Sequence, residues 1–354
     1  MYPLLTADCA KLKHNIDRLV SACHGAGVAA AIVTKALLAH PAFAALIEES
    51  DADMIADSRV QNLEKLAGKK PRLLLRPVQK SEIDRAVACA DYSLESELSS
   101  IALLEDAAAR MGKRHGVCLM IDLGDLREGI WFENRTLIMD TARAAASAKH
   151  LFLAGIGTNL TCFGGVLPDE KNLGTLCEIA SELETALGRK LPIVSGGNSS
   201  SVGLLLSGAL PKGITHLRLG ESVLLGNDTA ALCTLPGLYA DAFTLTAELI
   251  EVQDKQSVPF GTAGVNAFGE AVAFSGSPVP MRRGILALGR QDVDEKGLVP
   301  RDPRVKVLGA SSDHLIVDLS EAEEYAVGDT LSFTPAYGAL LRAATSPYVE
   351  KRFE

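Results

Sequence analysis

Ala29-Ala30-Ala31-Ile32-Val33-Thr34-Lys35 is an apolar run closed by a hydroxyl and an amine. A run without polar alternation predicts a strand covered on both faces, as in a parallel sheet. The next residues decide the fold. Ala36-Leu37-Leu38-Ala39-His40 contains no Gly-rich GxGxxG turn, so a doubly wound dinucleotide-binding sheet is disfavoured. Seven further apolar runs follow at Met54–Ala56, Arg72–Leu75, Ala90–Leu94, Val117–Leu123, Phe152–Gly157, Leu191–Val194 and His216–Leu219. Between them lie Ala-, Leu- and Glu-rich stretches at helical spacing, such as Glu97–Met111, Thr136–Ala148 and Gly174–Leu187. Eight strand candidates separated by helices is the count for an α/β chain folded as a (β/α)8 TIM barrel.

Lys35 then stands at the C-terminal end of the first strand, the end that carries chemistry in a barrel. An ammonium buried there without a partner is expected to lose its proton, and only a neutral amine attacks a carbonyl. The competing reading is a lysine that reaches water from a strand end.

After Pro236 the texture changes to short Val-, Phe-, Thr- and Ile-rich runs broken by Gly, Pro and Asp. The runs are Phe243–Val252, Ala271–Phe274, Gly284–Leu288, Val305–Leu308, Leu315–Leu319 and Thr330–Phe333. They predict a mostly antiparallel β domain over residues 236–354, following a barrel over residues 1–235.

The 354 residues carry a net charge of -9, which argues against nucleic acid or an anionic membrane as the main partner. Seven cysteines are scattered without a CxxC pair, a pattern of reduced thiols rather than a structural zinc site. No cleavable leader is read at the start and no apolar run is long enough to span a bilayer, so a cytoplasmic protein acting on a small molecule is expected.

Reading the strand ends in order yields Lys35, Arg76, Arg127, Asn159, Asn198-Ser199 and Arg218. One amine, three guanidinium groups and several hydrogen-bonding side chains on one rim suggest an anionic ligand. Ser195-Gly196-Gly197-Asn198-Ser199-Ser200-Ser201 is the strongest local phosphate signal, because glycines admit a ligand close to the backbone and the serines open a helix at Val202–Leu206. A plain Ser-capped turn would read the same way.

The Lys35 segment, Asp122-Leu123-Gly124-Asp125-Leu126-Arg127-Glu128-Gly129, Gly157-Thr158-Asn159, Gly197-Asn198-Ser199 and Leu217-Arg218-Leu219-Gly220-Glu221 occur in the order seen in alanine racemase-type enzymes. The chain resembles these fold type III pyridoxal phosphate (PLP) proteins over nearly its whole length. Gly157–Gly165, Ser195–Ser201 and Ala310-Ser311-Ser312-Asp313-His314-Leu315 look most like the alanine/ornithine racemase branch. The resemblance implies a PLP-binding barrel, a homodimer with composite active sites, and Lys35 as the lysine that carries the cofactor. It implies that Arg218 faces the pyridine nitrogen, that Ser199, the Gly220-Glu221 backbone and Tyr337 lie at the phosphate, and that Asn198 is among the cofactor-binding residues. Arg127 matches a guanidinium near the substrate carboxylate or cofactor phenolate, and Asn159 stands where alanine enzymes commonly have a histidine.

Two departures bear on the reaction. Phe260 stands where the resemblance places a catalytic tyrosine, and a phenyl ring cannot move a proton. Ala39 stands where a phosphate-binding tyrosine is expected. The second base is therefore sought in the polar islands Gly289-Arg290-Gln291-Asp292 and Ser311-Ser312-Asp313-His314. Histidine is suited to acid/base work near neutrality, so His314 is a catalytic candidate beside Asp313 and Asp292. The two carboxylates could instead hold the distal ammonium of ornithine or lysine. The expected function is racemisation of a basic amino acid, with no metal. The alternatives are a noncatalytic PLP carrier and a D-amino-acid lyase or aldolase.

Overall fold

Strands covered on both faces cannot alternate polar with apolar residues, and the eight unbroken runs fold accordingly. The computed structural model describes residues 1–262, 264–271 and 277–354. In it, Ala29–Val33, Met54–Asp57, Arg72–Leu74, Tyr92–Glu95, His115–Asp122, Leu151–Gly157, Ile193–Ser195 and His216–Leu219 pair in parallel, each with its successor. His216–Leu219 returns to pair with Ala29–Val33, with Leu217 beside Ala30 and Arg218 beside Ala31. The ring is closed, so the barrel expectation is met.

Ala31, Val33, Ala56, Leu73, Leu94, Cys118, Met120, Ala154 and Ile193 form one buried cluster. Each large aliphatic side chain removed from water there contributes about 1.5–3 kcal/mol. The helices between strands carry the expected local signals. Glu170–Leu187 begins four residues before the predicted Gly174, because the Asp169 side chain accepts from Asn172 N at 2.7 Å and closes a capping box. Gly188 ends that helix at φ 64, a left-handed position that glycine adopts without strain.

The chain divides into two compact units, Cys9–Ala240 and a second made of Met1–Asp8 with Asp241–Glu354. This differs from a single cut at residue 235/236. Leu4–Ala7 is a strand of the second unit, antiparallel to Phe243–Gln256 and parallel to Glu350–Phe353. The remaining strands run in the order Leu298–Pro300, Thr330–Pro335, Phe243–Gln256, Pro280–Leu286, Leu315–Asp318 and Lys306–Ala310, all antiparallel. Phe243, Leu245, Ala247 and Leu249 are buried while Thr244, Thr246 and Glu248 are not, the period of two of a strand with one face on a core. The expected strand Ala271–Phe274 lies, from Val272 onward, outside the described residues.

Candidate active site

The Ala29–Val33 strand ends by turning into a single 3-10 turn at Lys35–Leu37. Thr34 is fully buried, and its Oγ1 donates to Asp57 Oδ2 at 2.7 Å. That bond ties the first strand end to the second. Lys35 itself is exposed. The expectation of a buried ammonium is therefore corrected: the backbone is buried up to Thr34, and the turn swings the next side chain out to water. Its charge still reaches the barrel end. Burial pushes the Glu221 carboxyl up, while an Asn227 hydrogen bond at 2.9 Å and the Lys35 ammonium act to lower it.

The Asp122–Gly129 loop is shaped by its own acids. Asp122 Oδ1 accepts from Gly124 N at 2.9 Å and Leu126 N at 3.2 Å. Gly129 sits at φ 133, and a Cβ there would lie 2.5 Å from Asp122 N, so only glycine fits. Asp125 is fully buried and takes N–H groups of Cys162, Phe163 and Val166 at 3.0–3.2 Å, fixing the neighbouring loop. The short strand Ile130–Trp131 then pairs with Ile121–Asp122 and returns Arg127-Glu128 to the barrel end.

There the side chains form one continuous polar chain. Arg127 Nη2 donates to Glu128 Oε1 at 2.6 Å, and Arg127 Nε donates to Oε2. Asn159 Nδ2 also donates to Glu128 Oε1. Asn159 Oδ1 accepts from Arg218 Nη2 at 2.7 Å, and the same nitrogen donates to Thr158 O at 2.6 Å. Arg218 Nη1 donates to Ser195 Oγ, which lies 2.9 Å from His216 Nδ1.

The lower end of this chain carries one fixed charge. Burial, reinforced by the Arg218 charge, pulls His216 down to about 3, so its ring is neutral. Since guanidinium only donates, Ser195 Oγ accepts from Arg218, and it shares one further hydrogen bond with the neutral His216 ring at Nδ1. Arg218 is 3% exposed, and burial lowers its pKa, yet its hydrogen-bond partners are neutral oxygens. A guanidinium in this position is a fixed positive charge aimed at the barrel end, not a proton source. Gly157 makes room for it: a Cβ there would lie 3.1 Å from Ser195 Cβ and 3.3 Å from Arg218 Nη1. Gly157→Ala is expected to displace the guanidinium and lower stability by about 1–3 kcal/mol, read as a lower denaturation midpoint. An unchanged midpoint would show that the space under Arg218 is not limiting.

Arg76 does not join this chain. It pairs with Glu82 at 3.2 Å, the ordinary role of an arginine after a strand. The Ser195–Ser201 segment does reach the same barrel end. Asn198 Oδ1 accepts from Ser200 N at 2.9 Å, opening the short Ser199–Ser201 turn before Val202–Ser207. Ser199 Oγ accepts from Gly220 N at 3.2 Å and Ser222 N at 3.1 Å. Three buried hydroxyls, Thr158 Oγ1, Ser200 Oγ and Ser222 Oγ, have no hydrogen-bond partner among the described residues.

The other candidates belong to the second unit. Its two polar islands are clasped together: Arg290 N and Gln291 N donate to Ser311 O and Ser312 O, both at 2.9 Å. Gly289 packs so closely that a Cβ would fall 2.3 Å from Asp313 Cα. Asp313 and His314 are exposed, with His314 Nδ1 3.2 Å from Asp313 Oδ1. Asp292 differs. It is 4% exposed and accepts from Ser346 Oγ at 2.7 Å and Gly289 N at 3.4 Å, so its carboxylate already holds the protein together. Tyr337 opens the Tyr337–Thr345 helix, and Phe260 is fully exposed in its loop.

Residues 7–228 match the family model described as alanine racemase, N-terminal domain. The chain belongs to the alanine racemase family. Over 353 residues this family member is 43% identical to an ornithine racemase of Acetoanaerobium sticklandii, covering 99% of each chain. It is 36% identical to a lysine racemase of Thermotoga maritima over 357 residues, covering 100% of this chain and 99% of that one. Among solved structures, an alanine racemase of Clostridium difficile 630 superposes with a TM-score of 0.71 at 15% identity, covering 99% and 95% of the two chains, a likeness of fold.

Within this racemase fold, Glu128, Ser195 and His216 were not singled out as site residues from sequence. Glu128 lay inside a quoted motif but reads as a solvated acid. Ser195 reads as the opening of the phosphate signal and His216 as the start of an apolar run, and it is the pairing of their adjacent strands, His216 beside Ser195, that groups them with Arg218. Among the described residues no three His, Cys, Asp or Glu side chains are grouped to hold a metal ion, and no helix is long and apolar enough to cross a membrane.

Proposed function

We propose that this protein is a cytoplasmic, PLP-dependent racemase of a basic amino acid, ornithine or lysine. The observation that carries the reading is near-complete coverage by relatives named ornithine racemase and lysine racemase. The barrel end is compatible with PLP in its chemistry. Ser199 and the buried hydroxyls of Thr158, Ser200 and Ser222 are donors suited to a phosphate, and Arg218 offers a buried cation to a ring nitrogen. Lys35, Asn198, Ser199, Arg218, Gly220 and Glu221 would hold the cofactor, with Arg127 and Asn159 beside them and Tyr337 contributed by the C-terminal unit.

PLP, when bound, delocalises the electron pair left at Cα as its proton departs. The chain's own residues supply the rest. The exposed Lys35 amine can carry the cofactor and take a proton on one face of Cα. Arg218 keeps its own protons and would offer a ring nitrogen a hydrogen bond rather than a proton. The other face needs a second proton carrier, and Phe260 has no group to offer. His314, oriented by Asp313, is the candidate, because a base held by a carboxylate presents one defined nitrogen. Asp313 can alternatively meet the distal ammonium of a basic substrate. Asp292 is already committed within its own unit. Assembly as a homodimer would let each barrel use the C-terminal unit of a second copy.

The test is incubation of PLP-loaded protein with L-ornithine, L-lysine and L-alanine in heavy water, following the Cα proton by NMR and product chirality by chromatography. Exchange with inversion on ornithine or lysine, and at least tenfold less on alanine, is expected. No exchange on any amino acid would overturn the reading. PLP transfer to an apo-enzyme would then point to a carrier.

A further inference from the structure

We propose that Glu128 is a positioning residue that fixes the Asn159 amide, and through it the Arg218 guanidinium, in the one orientation the site uses. The inference rests on the racemase reading of the barrel end and names a specific device within it.

An ionised carboxylate only accepts and a guanidinium only donates. Asn159 stands between one of each: its Nδ2 donates to Glu128 Oε1 and its Oδ1 accepts from Arg218 Nη2 at 2.7 Å. Turning the amide over would set oxygen against oxygen at Glu128 and N–H against N–H at Arg218, so both bonds would be lost together. Asn159 and Arg218 are 7% and 3% exposed, so water cannot readily replace either bond. The side chain of Glu128 is 16% exposed, and its two oxygens are clamped by Arg127 Nε and Nη2. The carboxylate therefore cannot swing away without releasing Arg127 as well. A bare asparagine beside a guanidinium would leave that cation one rotatable partner. With Glu128 behind it, the amide becomes a rigid extension of the Asp122–Gly129 loop, and Arg218 is braced by Asn159 and Thr158 O on one nitrogen and by Ser195 on the other.

The order of groups predicts an unusual pattern among variants. Glu128→Gln keeps the shape but leaves one acceptor oxygen in place of two, so an amide that serves Asn159 Nδ2 turns its N–H₂ against Arg127 Nε and loosens the clamp that holds Asn159. Asn159→Asp alone sets two carboxylates against each other. Combining the two restores the sequence of donor and acceptor, because the introduced amide donates to the introduced carboxylate, which accepts from Arg218. The measurements are the PLP dissociation constant, the pH dependence of the visible cofactor band, kcat and KM for the basic amino acid, and the melting temperature of the cofactor-free chain. Glu128→Gln is expected to lower kcat about 10–100-fold with a smaller change in KM, as displacement of a group by an ångström does. It should also shift the pH profile of the band. Asn159→Asp should weaken PLP binding and lower the melting temperature, and adding Glu128→Gln should recover at least tenfold in PLP affinity and part of the melting loss.

A structural role for Glu128 without this ordering would make the double variant worse than either single one, which overturns the proposal. So does a Glu128→Gln protein with wild-type kcat and band profile while the wild type binds PLP and racemises. A wild-type chain that takes up no PLP overturns the racemase reading and this inference with it, whereas the variant pattern separates the two whenever PLP binds.

Discussion

Lys35→Ala is expected to abolish the visible absorbance that lysine-bound PLP gives and to lower racemisation by several orders of magnitude, while leaving the fold unchanged. The fold should survive because the Lys35 side chain is exposed, and the turn that carries it is held by Thr34, whose backbone N–H donates to Ala56 O at 2.9 Å and whose Oγ1 donates to Asp57. Truncating an exposed side chain away from such features changes stability by about 0.5 kcal/mol or less. The activity should collapse because one residue would serve two roles, covalent attachment and proton transfer on one face of Cα. Losing proton transfer alone typically lowers a rate about 10²–10⁴-fold. Absorbance spectra with and without borohydride, with peptide mapping of the reduced protein, read the attachment site directly. A covalent cofactor found on another lysine of the variant and of the wild type would refute the assignment.

The barrel was legible because each of its eight strands is buried on both faces, so each appears as a local apolar run. Boundaries shifted by a few residues at most: the run read as Val117–Leu123 extends to His115, where a histidine is buried against Ser93 at 2.9 Å and does not look apolar. The second unit was legible where one face meets its core, as at Phe243–Leu249. Leu4–Ala7 was not, since its partners lie more than two hundred residues away and four residues carry no period of their own. At the barrel end, sequence order picked out Arg218, Asn159 and Ser199, because each lies within or just after an apolar run. It could not show that Lys35 turns outward, which depends on one backbone turn, nor that Asp292 turns inward. The reading of the rim as an amine, three guanidinium groups and hydrogen-bonding side chains also missed Glu128, whose partner Asn159 comes from a different strand end.

That blindness to pairing extends to Glu95, an acid at the end of the Tyr92–Glu95 strand that is fully buried. Its Oε1 accepts from Val78 N at 3.3 Å, and its Oε2 has no hydrogen-bond partner among the described residues. Burial pushes the carboxyl up from 4.5 to about 8, against weaker lowering by Ser93 and Val78. A pKa raised on folding means that the folded chain keeps a proton that the unfolded chain releases. The stability this contributes is fully present below pH 4.5, declines as pH rises, and is lost once pH passes about 8. The gap corresponds to roughly 5 kcal/mol, a large share of a typical domain's stability. Glu95→Gln keeps the shape and removes the charge, so the variant should match the wild type near pH 5 and exceed it by several kcal/mol at pH 9. Two buried histidines act in the opposite direction. His115 at about 4 and His216 at about 3 contribute stability that is present above pH 6.5 and lost as pH falls through those values. They are common to both proteins, so the difference between variant and wild type isolates Glu95. Urea unfolding of both proteins from pH 5 to pH 9 measures that difference. A constant offset across the range would mean that Glu95 ionises in the folded chain as it does in the unfolded one, and that the strand end tolerates a charge its surroundings do not visibly compensate.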